Sequence, residues 1–292
     1  MPPISSWLPS VEILVLGAIW GAAFMFMRIA VPHFGPYALV EVRLVLGAVF
    51  LLPFLWKDRR LFTASVWGRA MLVGALNAAL PMLLFAWAAQ RSPAGVGAIC
   101  NSTTAMFAAL VAVFFFGEKL QGRRVAGLIL GFLGVVVLAS GKTGGDRILL
   151  PAIAATLGAA CYGIGINLAR RFLPDLPPYA VACANLVAAT ALCTPFALGS
   201  WPAAPIPTNA WVAAVGLGVI CTGVGFVMYY RLLYRIGASR AASVSYLIPL
   251  FGVFWGWLLL EEPLTATMAA ACVLILIGVA LNQQRAGASS RR

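Results

Sequence analysis

The sequence predicts an all-α integral membrane protein, with ten transmembrane helices forming two inverted five-helix repeats around a central cavity. Three observations predict it. Hydrophobic residues make up 62% of the 292 residues and charged residues only 10%, with a mean hydropathy of +0.97. An average soluble domain is about a quarter charged, so a chain this apolar must take lipid as part of its solvent. Apolar runs near the ~20 residues that cross a hydrocarbon core recur along the chain, with Lys and Arg in the gaps. The second half also echoes the first at a nearly constant spacing.

The runs follow in order. The first, 11–31, has no Lys or Arg before it and so lacks the basic start of a cleaved signal peptide; it reads as a retained helix carrying Trp20. The second, 37–56, starts after Pro36, ends at Lys57 and contains Glu41 and Arg43. The third, 66–89, carries Asn77, Pro81 and Phe85. The fourth, 93–116, holds the polar group Asn101, Ser102, Thr103 and Thr104. The fifth, 122–140, has Gly127 and Gly131 four apart, a spacing that lets helices approach closely, as do Gly17 with Gly21 and Gly252 with Gly256. Then come 148–170, ending at Arg170 and Arg171; 178–198; 209–233; 238–260; and 264–282. The gaps are too short for a separate soluble domain. Trp7, Trp56, Trp67 and Trp201 fall near run ends, where the indole suits the membrane interface.

Charge sets the orientation. With ten spans both termini share one side, and that side receives fifteen basic residues, among them Lys57, Arg59, Arg60, Lys119, Arg123, Arg124, Arg170, Arg171, Arg231, Arg235 and Arg285. The other side receives four: Arg28, Arg91, Lys142 and Arg147. The positive-inside rule places both termini in the cytoplasm, and the expected location is a cell (inner) membrane. A net charge of +12 on a soluble chain would raise the question of nucleic acid. Here the cations alternate with apolar runs, so membrane lipids are the expected partners, with no nucleic acid and a monomer as the working unit.

Trp20-Gly21 aligns with Tyr162-Gly163, and Pro36-Tyr37-Ala38 with Pro178-Tyr179-Ala180, at an offset of 142. At an offset of 144, Arg91, Ala94, Phe107, Glu118, Leu120, Gly134 and Val135 meet Arg235, Ala238, Phe251, Glu262, Leu264, Gly278 and Val279. The repeats are expected at 1–143 and 144–292. Five spans is an odd number, so the second copy lies inverted, a construction that many secondary transporters use to alternate access to a midplane site.

Several stretches carry a family resemblance: Trp20-Gly-Ala-Ala-Phe24 before Arg28; Pro36 before Arg43; Phe116-Gly117-Glu118-Lys119-Leu120 leading to Gly127 and Gly131; Pro249-Leu-Phe-Gly252; and Leu260-Glu-Glu262-Pro-Leu264. In this order and spacing they resemble the EamA-type branch of the drug/metabolite transporter superfamily, over nearly the whole chain, and most of all YddG-type exporters of aromatic and other amino acids. The resemblance implies ten helices, inverted repeats, a central cavity and export of small metabolites by alternating access. Many members carry a proline in the fourth helix matching Pro249 in the ninth; Ala105 stands there in this chain, so the two gates are expected to be mechanically unequal.

Polar and aromatic residues at helical spacing mark the candidate site, because polar groups in a span are costly unless they face a cavity or a partner. The substrate-binding candidates are Trp20, Phe24, Asn77, Phe85, Asn101, Tyr162, Tyr229, Ser243 and Tyr246. Hydroxyls in spans are as a rule interhelical donors, and Asn77 and Asn101 fit either role. Pro81 and Gly225, at equivalent positions in the two copies, are candidate bending points beside Pro249. Arg43 is either a structural tie or a snorkelling side chain, or else a substrate-carboxylate anchor or gate latch. Glu118 and Glu262 precede the helices that close each repeat and are expected to cap them. With Glu41 the one clear intramembrane acid, the cargo is expected to move down its gradient without proton coupling.

No cofactor or metal is expected. The six cysteines lie in apolar runs without a CxxC pair, and His33 is the single histidine. A membrane-embedded enzyme would need a catalytic constellation, and neither HExxH, nor Gly-x-Ser-x-Gly, nor paired aspartates occur. A carrier of sugar phosphates would need several cavity cations. A cavity of aromatic rings, amides and hydroxyls suits zwitterionic or amphipathic metabolites.

Overall fold

Gly35 divides the longest helix of the protein. In the computed structural model, which describes residues 8–117, 122–143 and 146–283, α1 runs Leu8–Lys57 but is two helices joined at Gly35, whose backbone (φ 72°, ψ 166°) is far from helical. Only glycine enters that region without steric cost, and Pro36 follows directly, preset for a helix start. The turn anticipated between 31 and 37 is thus compressed to about one residue.

The chain continues through α2 (Ala64–Gly74) and α3 (Leu80–Arg91), joined without interruption by a π-helical stretch, Ala75–Ala79. α4 (Ala94–Asn101) and α5 (Thr104–Phe116) are separated by a turn at Ser102 and Thr103. α6 (Gly122–Ala139) leads to a two-residue antiparallel ladder, β1 (Lys142–Thr143) against β2 (Asp146–Arg147), a small departure from the all-α expectation. α7 (Leu149–Phe172) and α8 (Pro178–Gly199) follow. α9 (Thr208–Val215) passes through a second π-helical stretch, Gly216–Val224, into α10 (Gly225–Ile236). The short α11 (Ala238–Ala241), α12 (Val244–Leu260) and α13 (Ala266–Gln283) complete the described chain.

Among the described residues, seven helical segments are long and apolar enough to cross a membrane, and two shorter apolar helices, Val244–Leu260 and Ala266–Leu281, accompany them. Large apolar side chains face outward on many of them, Val49, Phe114, Val136, Leu150 and Leu198 among them. Outward Leu and Phe over whole helices suit lipid, not water. Inside, the packing relies on small residues, as bilayer helices require: Ala30, Ala38, Ala86, Ala98, Ala155, Ala184 and Ala214 are buried.

Two close helix pairs fix the arrangement. Between α6 and α13, Gly141 faces Thr267, Gly134 faces Ala271 and Ile275, and Gly278 faces Gly127 and Gly131. As one helix advances the other recedes, so they run antiparallel. A Cβ added to Gly134 would lie 2.7 Å from the Ile275 side chain, and one on Gly278 would lie 2.6 Å from the Gly127 carbonyl. The second arm of α1 crosses α8 likewise: Glu41 meets Thr194, Gly47 meets Leu186 and Ala48 meets Cys183, again antiparallel.

Candidate functional site

Aromatic rings from both halves of the chain meet on the inner faces of α1, α3, α7 and α10. Trp20 in α1 lies 5.2 Å, centroid to centroid, from Tyr229 in α10, and its indole Nε1 donates to the Cys221 carbonyl at 3.1 Å. Tyr162 in α7 stacks on Phe85 in α3 at 6.0 Å. Phe24, one turn along from Trp20, meets Phe85 edge-on at 5.6 Å. The repeat offsets turn one ring pair into the other, for Phe85 becomes Tyr229 at 144 and Trp20 becomes Tyr162 at 142. Five of the nine predicted substrate-binding residues therefore come together as two equivalent pairs plus Phe24.

Arg43 enters the same region from the second arm of α1. Its Nε donates to Thr222 Oγ1 at 3.0 Å, and its Nη1 points at the Met27 thioether at 3.9 Å. Thr222 directly follows Cys221, whose carbonyl holds the Trp20 indole, so Arg43 is tied beside the Trp20–Tyr229 pair. Thr222 is buried, and its own hydroxyl donates to the Leu217 carbonyl at 2.9 Å, which leaves a lone pair aimed at the guanidinium. The donation reaches back five residues, a span that the π-helical stretch provides.

The bending candidates flank these rings. Gly225 follows directly on the Gly216–Val224 π-stretch, and a Cβ there would lie 2.6 Å from Trp20 Nε1. Pro81 is buried two residues beyond the Ala75–Ala79 π-stretch, with its carbonyl against Gly158. A π-turn widens the helix and often marks a functional position. Pro249 is buried within α12, six residues past the turn at Ala242 and Ser243 that separates α11 from α12.

The remaining candidates lie in the Ala75–Ala79 π-stretch, in α4, at the α11–α12 turn and in α12. Asn77 is two turns before Phe85 and packs on Gly165 of α7. Asn101 closes α4 at its break. The Ser243 hydroxyl donates to the Arg240 carbonyl at 2.7 Å, so it serves the α11–α12 turn. Tyr246 is half-buried against the core in α12. The hydroxyls of Ser102 and Thr103 donate to the Ala98 and Cys100 carbonyls, tying off the α4–α5 break in the manner of a local side-chain turn. Buried Asn167 donates to the carbonyls of Ala108 and Gly163, so it is an interhelical tie. A pocket of about 270 Å³, lined by Val66, Arg69, Arg171 and Asp175, lies at the far ends of α2 and α7, away from the rings.

Glu262 corrects one expectation. Instead of capping the helix that follows it, its two carboxylate oxygens accept the Ala94 backbone N–H at the start of α4, at 3.1 and 2.9 Å. Arg28 lies 3.5 Å from the same carboxylate and donates to the Ala89 and Gln90 carbonyls at the end of α3. The reason is geometric: the α12–α13 connection folds over the α3–α4 turn, whose first amide is unsatisfied within its own helix. Burial pushes the Glu262 carboxyl above the ordinary carboxylate value, while the Ala94 N–H and the Arg28 charge pull it back. Arg28 is therefore a structural link as well as a topological charge. Glu118, the counterpart of Glu262 in the first repeat, lies outside the described residues.

The EamA-like transporter family matches residues 10–140 and again residues 149–283. A protein of Salmonella typhimurium named "Probable amino-acid metabolite efflux pump" is 26% identical over 283 residues, covering 92% of each chain. One of the same name from Escherichia coli is 25% identical over 282 residues, again covering 92% of each. An "Uncharacterized transporter" of Archaeoglobus fulgidus is 24% identical over 268 residues, 89% of this chain and 93% of that one. A solved crystal structure superposes with a TM-score of 0.65 at 22% identity, covering 95% of this chain and 96% of the other, a likeness of fold alone.

Proposed function

The chain belongs to the EamA-like transporter family and is a multi-pass membrane transporter rather than an enzyme, and from that premise we propose that it exports amino acids with aromatic or other apolar side chains by alternating access. The relatives named as amino-acid metabolite efflux pumps support both cargo and direction. The observation that carries the reading is the pairing of Trp20 with Tyr229 and of Tyr162 with Phe85. A site built from equivalent residues of both repeats changes hands when the repeats exchange conformations, and aromatic faces accept apolar side chains.

Ten spans and inverted repeats, at 1–143 and 144–292, belong to this proposal. The first apolar segment has 48 residues, about 72 Å at 1.5 Å per residue, which is roughly twice a 30 Å hydrocarbon core, and the break at Gly35 lets it cross and return. Inversion is supported by α6 and α13. These are equivalent helices, yet they pack antiparallel through Gly134 and Gly278, themselves equivalent at 144. Both termini then lie in the cytoplasm of a cell with this protein in its inner membrane. Pro81, Gly225 and Pro249 bend α3, α10 and α12 as the site changes access. Small-molecule cargo and lipid are the partners, and one chain suffices.

Uptake of a labelled amino-acid panel into proteoliposomes holding the purified protein tests this. Flux of phenylalanine, tryptophan or leucine should saturate with concentration, and Trp20→Ala and Tyr162→Ala should each lower it about tenfold in folded protein, the loss of a face worth ~1.5 kcal/mol. Non-saturating flux, or none above empty vesicles for any amino acid, would overturn the reading.

A further inference from the structure

Arg43 lies deep in the bilayer under this reading. It is seven residues past Pro36 and fourteen before Lys57, or about 10 and 21 Å from the ends of its helical arm at 1.5 Å per residue. A cation at such depth is expensive unless it is paired or faces a polar cavity. Among the described residues the ion pairs join Arg28 to Glu262, and Arg231 and Arg235 to Glu12; no described carboxylate lies within 4 Å of Arg43. Glu41, two residues away, points elsewhere on the helix and meets the Thr194 hydroxyl at 2.8 Å.

A guanidinium offers five N–H donors in a planar fork. One goes from Nε to Thr222, and one Nη1 hydrogen meets only a thioether, a weak acceptor. The outer edge of the fork, the side that binds carboxylates bidentately, meets no described oxygen. The bond from Nε holds the fork in place, because Thr222 is itself buried and anchored to Leu217. Thr222 directly follows Cys221, whose carbonyl holds the Trp20 indole, so the fork is fixed beside the Trp20–Tyr229 ring pair.

We infer that Arg43 is the carboxylate-binding residue of the transport site, and that the cargo is a monocarboxylate whose apolar portion lies against the rings of Trp20 and Tyr162. This rests on the transporter reading and narrows it. A single guanidinium neutralises one carboxylate; a phosphate dianion calls for further cations. The anchor also joins the two halves of the chain, since Arg43 belongs to the first and Thr222 to the second. Thr222 acts as a positioning residue, fixing the rotamer of Arg43 without touching cargo.

The test compares phenylalanine with 2-phenylethylamine, which lacks only the carboxyl group, in proteoliposomes of the full chain. The wild-type protein should carry phenylalanine and discriminate strongly against the amine. Arg43→Gln should raise the KM for phenylalanine on the order of tenfold to a hundredfold, the loss of a charge-assisted bond, and abolish the discrimination. Arg43→Lys, which keeps the charge and loses the fork, should fall between, and Thr222→Val should retain discrimination with a smaller rise in KM. Circular dichroism and gel filtration establish that each variant folds. Should Arg43→Gln weaken both solutes equally, or Arg43→Lys restore nothing, Arg43 is a structural tie. A wild-type protein that carries the amine as well as phenylalanine overturns the anchor and leaves the carrier standing; one that carries neither overturns both.

Discussion

At the scale of single residues, the site depends on close approaches that a methyl group would break. Gly225 is the sharpest case: a Cβ there would sit 2.6 Å from Trp20 Nε1, so an alanine must displace the indole from the Cys221 carbonyl. Overpacking of this kind costs ~1–3 kcal/mol. Gly225→Ala should therefore lower the thermal midpoint measurably and shift Trp20 emission, and Gly225→Leu should abolish transport. Unchanged transport in Gly225→Leu would remove this position from the mechanism. The rings were legible in the sequence, because Trp20, Phe24, Phe85, Tyr162 and Tyr229 recur at helical spacing and map onto one another through the repeat. The hydroxyls were not. Ser243 has the same spacing as a ligand residue, but its proton goes to the Arg240 carbonyl one turn back, and spacing does not reveal which acceptor a hydroxyl chooses. Arg43 was visible as an oddity, while its orientation depends on Thr222, 179 residues away.

At the scale of elements, the Glu262 carboxylate joins the α12–α13 connection to the first amide of α4 and, through Arg28, to the end of α3. Its carboxyl is raised by burial, so the folded protein holds that proton more tightly than the unfolded chain does. The linkage sign follows. The contribution of this group to stability is fully present below the ordinary carboxylate value and is lost as pH rises through the raised folded value. Wild-type thermal midpoints should decline across that window above the ordinary value, and Glu262→Gln should flatten the decline; an identical slope in both proteins would count against the assignment. Glu262→Ala leaves the Ala94 N–H without its acceptor and Arg28 without its counter-charge, a loss of ~1–3 kcal/mol at neutral pH. The sequence marks Glu262 as a cap because it precedes a helix, but the helix it caps starts 168 residues earlier. The two halves also differ here: the offset of 144 would carry the α4–α5 break at 102–103 to 246–247, yet the corresponding break lies one turn earlier, at 242–243. Ala105 and Pro249, which differ between the repeats, lie two and six residues beyond these breaks.

At the scale of the molecule, hydropathy made the apolar runs plain, and every run has a helical counterpart within a few residues of its expected bounds. The one-residue hinge at Gly35 and the two π-stretches were beyond its reach, since hydropathy registers the polarity of a segment and not the hydrogen-bond register of its backbone. Alternating access of this kind requires the two halves to be oppositely oriented copies, because only then do equivalent rings from each half face one site from opposite sides of the membrane. Leu61 and Ala203 test this most directly. They are equivalent at the offset of 142, and both are exposed in connections between helices. Single cysteines placed there, in a background with the six native cysteines replaced, can be labelled in intact cells with a membrane-impermeant maleimide. A cysteine at 203 should react from outside, and one at 61 only after the membrane is opened. If both react from the same side, the halves are parallel, and the alternating site proposed between them does not exist.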